Sequence, residues 1–153
     1  MKSSEILTFR VALAGQSSIY RDVEIEASKS LYDLAQAIVG AFDFDFDHAF
    51  GFYTGLTPTR MWDALPKYEL FADMGEPTRG AVGVKETLIP QAFPNVGHTL
   101  LFLFDYGDEW LFRVKLTGIG AKLAKTRYPR VVAKRGAAPE QYPDPGDYEG
   151  VGA

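Results

Sequence analysis

The chain has 153 residues, 46% of them hydrophobic and 24% charged, with a net charge of −4, a composition that excludes a disordered or fibrous protein. At roughly 150 residues one core can hide about 68–70% of the unfolded surface, so a single domain over residues 1–153 is expected. The lack of cysteine excludes disulfides, thiolate metal sites and a cysteine nucleophile, and no apolar run approaches the ~18 residues of a membrane span, which together predict a cytoplasmic protein with no membrane partner.

In chain order, Leu7, Phe9, Val11 and Leu13 alternate with Thr8, Arg10 and Ala12, as one buried strand face requires. After the turn residues Gly15 to Ser18, Ile19, Val23 and Ile25 oppose Tyr20, Asp22, Glu24 and Glu26, which predicts a returning strand and an opening hairpin. Leu31, Leu34, Ala35, Ile38, Val39 and Phe42 form a helical stripe, with Ser30 and Asp33 as a capping box. Phe42 to His48 alternates aromatic and acidic residues before a third strand at 49–53. Residues 54–83 are broken by glycine and proline, with an edge strand expected near Tyr68 to Phe71 and a short helix within 86–93. The apolar run Thr99 to Phe104 reads as a central strand covered on both faces. A tight turn at Asp105 to Asp108 then leads into a strand with Trp110, Phe112, Val114 and Leu116 on its core face. The expected fold is therefore α+β: a mostly antiparallel sheet of about five strands with one main helix and short helices packed against it. An extended tail is expected from about residue 142, anchored if at all by Tyr142 and Tyr148.

Few motifs carry chemistry. Asp43, Asp45 and Asp47 resemble the start of a calcium loop, but the glycine and glutamate such a loop needs are His48 and Thr54 here, so a solvated acidic face is expected instead. Gly118-Ile119-Gly120 lacks the third glycine of a dinucleotide fingerprint. The only imidazoles are His48 and His98, and no serine lies in a nucleophile elbow. Asp105, Asp108 and Glu109 cluster at a turn, where carboxylates more often cap amides than divide acid and base roles. No metal site and no cofactor are expected.

Charge is distributed unevenly. Residues 1–112 hold eight basic and sixteen acidic side chains, residues 113–135 hold eight basic and none acidic, and residues 136–153 hold four acidic and none basic. Two readings stand for the basic stretch: neutralisation by the protein's own acidic surface, including Asp144, Asp147 and Glu149 of the tail, or an external anionic partner.

The run Phe102-Leu103-Phe104-Asp105-Tyr106-Gly107-Asp108-Glu109-Trp110 resembles the aromatic-Asp-aromatic-Gly-Asp-x-Trp signature of the Ri-plasmid open-reading-frame-three-like family. Tyr20-Arg21 with Val23, the helix start Ser30 to Leu34, Asp47-His48 with Phe50, and Tyr128-Pro129-Arg130 follow in the order that family shows. The resemblance spans roughly residues 5–150 and implies an α+β sandwich of a sheet and helices, in a largely uncharacterised family with members labelled passenger or resolvase-like proteins of mobile elements. Two positions depart from it. Phe112 stands where the family often has histidine, and Ala138 to Asp144 replaces a cysteine-containing Pro-Pro-Glu-Asp-x-Gly-Gly stretch.

The function expected from these observations is a non-enzymatic binding or interaction module, linked through the resemblance to plasmids or mobile elements. Its ligand or partner site is expected at His48, Asp105, Tyr106, Asp108 and Trp110, and its partner is a protein or a nucleic acid. One alternative is nucleic-acid binding through the segment 113–135, with Lys122, Lys125, Arg127, Arg130, Lys134 and Arg135 on phosphates and Tyr128 stacking. Another is a small acid/base enzyme using Asp105, Asp108 and His48. A pocket joining Asp105, Asp108 and Trp110 would favour an enzyme or a small ligand, and a continuous positive face would favour nucleic acid.

Overall fold

The computed structural model describes residues 2–143, so Asp144, Asp147, Tyr148 and Glu149 lie outside the described residues. Eight strands form one sheet: β1 (Glu5–Leu13), β2 (Gln16–Glu26), β3 (Phe50–Tyr53), β4 (Lys67–Glu69), β5 (Ala81–Gly83), β6 (Thr99–Phe104), β7 (Trp110–Ala121) and β8 (Arg130–Arg135). Three helices interrupt them: α1 (Leu31–Ala41), α2 (Leu70–Asp73) and α3 (Ile89–Ala92). The strand order is β5-β4-β3-β6-β7-β1-β2-β8. Every neighbouring pair is antiparallel except β4 and β5.

This architecture overturns the expected five strands with one main helix. The opening hairpin, the central β6 and the β6–β7 hairpin lie where periodicity puts them, and Leu7 faces Ile25 while Phe9 faces Val23. The expected edge strand at 68–71 is instead β4, an interior strand ending at Glu69 where α2 begins; β5 pairs outside it. β5 and β8 leave no periodic signal in the sequence, because a three-residue strand and an exposed edge strand carry no buried alternation. Among the described residues no helix is long and apolar enough to cross a membrane.

The inner face holds the main core. α1 lays Leu31, Leu34, Ala35, Ile38 and Val39 against it, and Ser30 opens the helix by accepting from the Asp33 amide while Asp33 accepts from the Ser30 amide. Phe42 and Phe44 continue the stripe, with Phe42 4.8 Å from Phe112. Each of these leucine, isoleucine, valine and phenylalanine side chains contributes about 1.5–3 kcal/mol on full burial. Asp43, Asp45 and Asp47 are exposed opposite the buried Phe42 and Phe44, although the Asp47 carboxylate also accepts from Tyr142 and Gln141.

Arg21 breaks the apolar parity of β2 and yet is buried, 4% exposed. Its guanidinium donates to the carbonyls of Ala41 at 3.1 Å, Tyr20 at 2.8 Å and Arg135 at 3.1 Å, and lies over the Phe42 ring. A side chain with five donors thus joins the C-terminal end of α1 to the end of β8, satisfying carbonyls that burial would otherwise leave orphaned.

Among the described residues the outer face is only partly covered. Residues 54–66 fold over the β3–β6 end, where Met61 packs on Tyr53, Leu101 and Leu103. Toward β7, β1 and β2 the same face presents Arg113, Lys115, Arg10 and Asp22.

Candidate functional site

Of the five residues expected to form one site, only His48 and Asp105 come within side-chain hydrogen-bond distance of each other. His48 and Asp105 meet, with His48 Nε2 3.2 Å from Asp105 Oδ2 and 2.6 Å from the Tyr142 hydroxyl. Tyr142 also donates to Asp47 Oδ2 at 2.9 Å, and its phenol is pushed up to about 12, first by desolvation and then by Asp47. The other Asp105 oxygen accepts from the amides of Gly107 at 3.0 Å and Asp108 at 3.2 Å. Asp105 adopts φ 69° and Glu109 φ 54°, a left-handed bend that aspartate tolerates better than most residues. One buried carboxylate therefore serves as turn cap and as partner to an exposed imidazole.

Tyr106 turns to the outer face. Its hydroxyl lies 2.7 Å from that of Tyr53, which donates to Glu69 Oε2 at 2.5 Å; Thr78 donates to Glu69 Oε1. Burial, as the largest cause, holds both phenols well above the ordinary tyrosine range. Trp62 and Phe71 pack on the Tyr106 ring. A Cβ on Gly51 would come within 2.8 Å of both phenolic oxygens, so glycine is what lets the two tyrosines meet.

Asp108 is exposed at the turn. Trp110 lies on the expected core face but is only half-buried, meeting Phe44 edge-on at 5.0 Å, and its buried indole Nε1 has no hydrogen-bond partner among the described residues. The depression that Trp110 lines, about 640 Å³, includes Glu109 and Arg113 but neither Asp105 nor Asp108. Among the described residues no group of three or more histidine or carboxylate side chains is arranged to hold a metal ion.

The basic segment also divides. Arg113 and Lys115 stand on the open outer face. Arg130 pairs with Glu24 at 2.7 Å and Lys122 with Glu26 at 3.0 Å, so part of the charge is neutralised by β2. Tyr128 lies under Arg130 and accepts from the Leu123 amide. Lys125, Arg127, Lys134 and Arg135 are exposed and have no carboxylate within ion-pair distance among the described residues.

A family model described as plasmid pRiA4b ORF-3-like protein matches residues 5–152. The chain belongs to that family. No curated protein matches it. Among solved structures it is similar to the protein of unknown function MM3350 from Methanosarcina mazei Go1, at 21% identity and a TM-score of 0.71 over 90% of this chain and 72% of that one. That likeness shows a shared fold.

In this pRiA4b ORF-3-like chain the residues that sequence reasoning missed are Gln141 and Arg21. Gln141 is 9% exposed; its amide accepts from the Asp45 N–H at 2.7 Å and donates to the Asp45 carbonyl at 3.1 Å and to Asp47 Oδ1 at 3.2 Å. It does for Asp45 what a neighbouring strand would do. Of the two tyrosines expected to anchor the tail, if it is anchored at all, Tyr142 bonds to His48 and Asp47, and Tyr148 lies outside the described residues. The signal for Arg21 was present as a cation in an apolar register.

Proposed function

We propose that this protein is an interaction module whose working surface is the outer edge of β8 and the groove beside it, and that it takes an extended, acidic segment of a protein partner by strand addition. The observation that carries this reading is the contrast between the two sheet edges. β5 offers three residues, and the adjoining Val84 and Lys85 amides are capped by Asp73. β8 offers six residues, with Val131 and Val132 each 44% exposed. No backbone hydrogen bond from another described segment reaches its outward edge. Depressions of about 300 and 250 Å³ run between the strand and α1, sharing Gln36, Ala37 and Pro129.

An added strand gains its affinity from main-chain hydrogen bonds, and flanking side chains select the sequence. Lys125, Arg127, Lys134 and Arg135 would select acidic residues; exposed charge pairs are worth only about 0–1 kcal/mol each, so they discriminate more than they bind. Lysine and arginine on an edge also deter self-pairing, which favours a foreign acidic strand over a second copy.

The test is an anisotropy titration of the full chain with labelled extended peptides of equal length, acidic, neutral and basic. The acidic peptide should bind best. Lys134→Glu with Arg135→Glu should weaken it at least tenfold. Equal affinity for the three peptides would overturn the reading. Tight binding to short DNA or RNA, with a log–log salt slope of about −0.9 per phosphate on duplex, would replace it by nucleic-acid recognition.

A further inference from the structure

We infer that the open part of the outer sheet face is a binding site for a small amphipathic anion, a ligand with one acidic head and an apolar body. The site is separate from β8 and does not rest on the function proposed for that edge. Two depressions meet at Arg113. One, about 450 Å³, is lined by Arg10, Asp22, Thr99, Arg113, Lys115 and Thr117 among others. The second, the depression of about 640 Å³ beside Trp110, has Leu13, Leu56, Pro58, Leu101 and Leu111 in its wall. Both lie within the size range of small-molecule sites.

The sheet register explains the charge at the first depression. Arg10 stands directly opposite Lys115 across the β1–β7 pair, and Arg113 follows one pleat further on the same face. Like charges placed opposite one another are destabilising, so this arrangement costs the free protein something. One carboxylate relieves it in part: Asp22 takes the Arg10 guanidinium through two hydrogen bonds of 2.8 and 2.9 Å, and Arg10 stacks on Tyr20. Arg113 and Lys115 have no carboxylate within ion-pair distance among the described residues. Two uncompensated cations on one sheet face, in a chain of net charge −4, are complementary to an anion.

Arg113 also decides what the rest of the ligand must be. Its cross-strand neighbours are Leu101 and Ala12, so its stem rests on an apolar floor while its head stays accessible. On the side away from Lys115 the wall turns apolar, and Leu56 stands 37% exposed at its rim. Glu109, the carboxylate at that end, disfavours a second acidic group there. The trough therefore reads as head group at Arg113 and Lys115 and apolar body toward Leu56, Leu101 and Leu111.

The probe is decanoate, measured by calorimetry on the full chain, with acetate and decan-1-ol as partial ligands. Decanoate should bind at one site per chain, at least tenfold tighter than either partial ligand. Arg113→Met, which keeps the stem and removes the charge, should weaken decanoate about tenfold, as should Lys115→Met. Leu56→Ser should weaken decanoate without changing the response to acetate. All three side chains are exposed, so folding is not at stake. Decanol binding as tightly as decanoate, acetate binding as tightly as decanoate, or decanoate affinity unchanged in Arg113→Met and Lys115→Met would each overturn the assignment. So would an oligonucleotide that displaces decanoate and needs Arg113 more than decanoate does.

Discussion

Asp105 shows how one side chain can satisfy both a turn and a neighbour. With one oxygen on the Gly107 and Asp108 amides and the other facing His48, its loss has two separable parts. Asp105→Asn keeps an acceptor for the turn and tolerates the left-handed φ, so it should cost less than about 1 kcal/mol. Asp105→Ala leaves two amides uncapped at a strained position and should cost about 1–3 kcal/mol. Chemical denaturation of the two variants checks this, and equal losses would show that the His48 contact, not the turn, dominates. Tyr53 and Tyr106 make a different kind of prediction. Both phenols are held protonated by burial, whereas unfolded tyrosines ionise near 10. The native state therefore keeps more protons above that pH. The stability they contribute is fully present below about pH 10 and is lost as pH rises beyond it. In an ultraviolet phenolate titration two of the eight tyrosines should ionise only as the fold is lost. Reversible ionisation of all eight near pH 10 with the fold intact would contradict the buried pair.

At the scale of elements, legibility followed burial. α1, β1, β2 and β7 each bury one regular face, with stripes that can be read directly from Leu7 to Leu13, Leu31 to Val39 and Phe112 to Leu116, and β6 is apolar throughout because both of its faces are covered. β4 and β5 are three residues each, too short for any period to register, and β8 exposes nearly every side chain. Tyr106 left its expected companions for the same kind of reason: which face a turn residue takes is set by Gly51 and Tyr53, fifty residues upstream. Beyond its ladder with β2, β8 is tied to α1 through Arg21, whose guanidinium reaches the Arg135 and Ala41 carbonyls. A lysine there would keep the charge but lose the fork that serves three carbonyls. Arg21→Lys should therefore destabilise the protein by about 1.5–3 kcal/mol and speed amide exchange in 130–135 more than in β1. Uniform exchange across the sheet would show that Arg21 supports the core as a whole.

At the scale of the molecule, one sheet carries α1, α3 and the main aromatic core on one face, and among the described residues the β8 edge and part of the other face are uncovered. Neither surface was legible in advance, because both gather residues far apart in the chain: Arg10 of β1 with Lys115 of β7, and Ala37 of α1 with Val131 of β8. The basic stretch was visible as charge. Its division among the open face, the pairs with Glu24 and Glu26, and the free edge needed the strand order. The most direct measurement of the central claim is amide hydrogen exchange of the full chain with and without a saturating acidic extended peptide. Strand addition predicts new protection concentrated in residues 130–135, with the flanking β2 amides little changed because β8 already covers them. Protection confined to the neighbourhood of Arg10, Arg113 and Lys115, or none anywhere in β8, would contradict it.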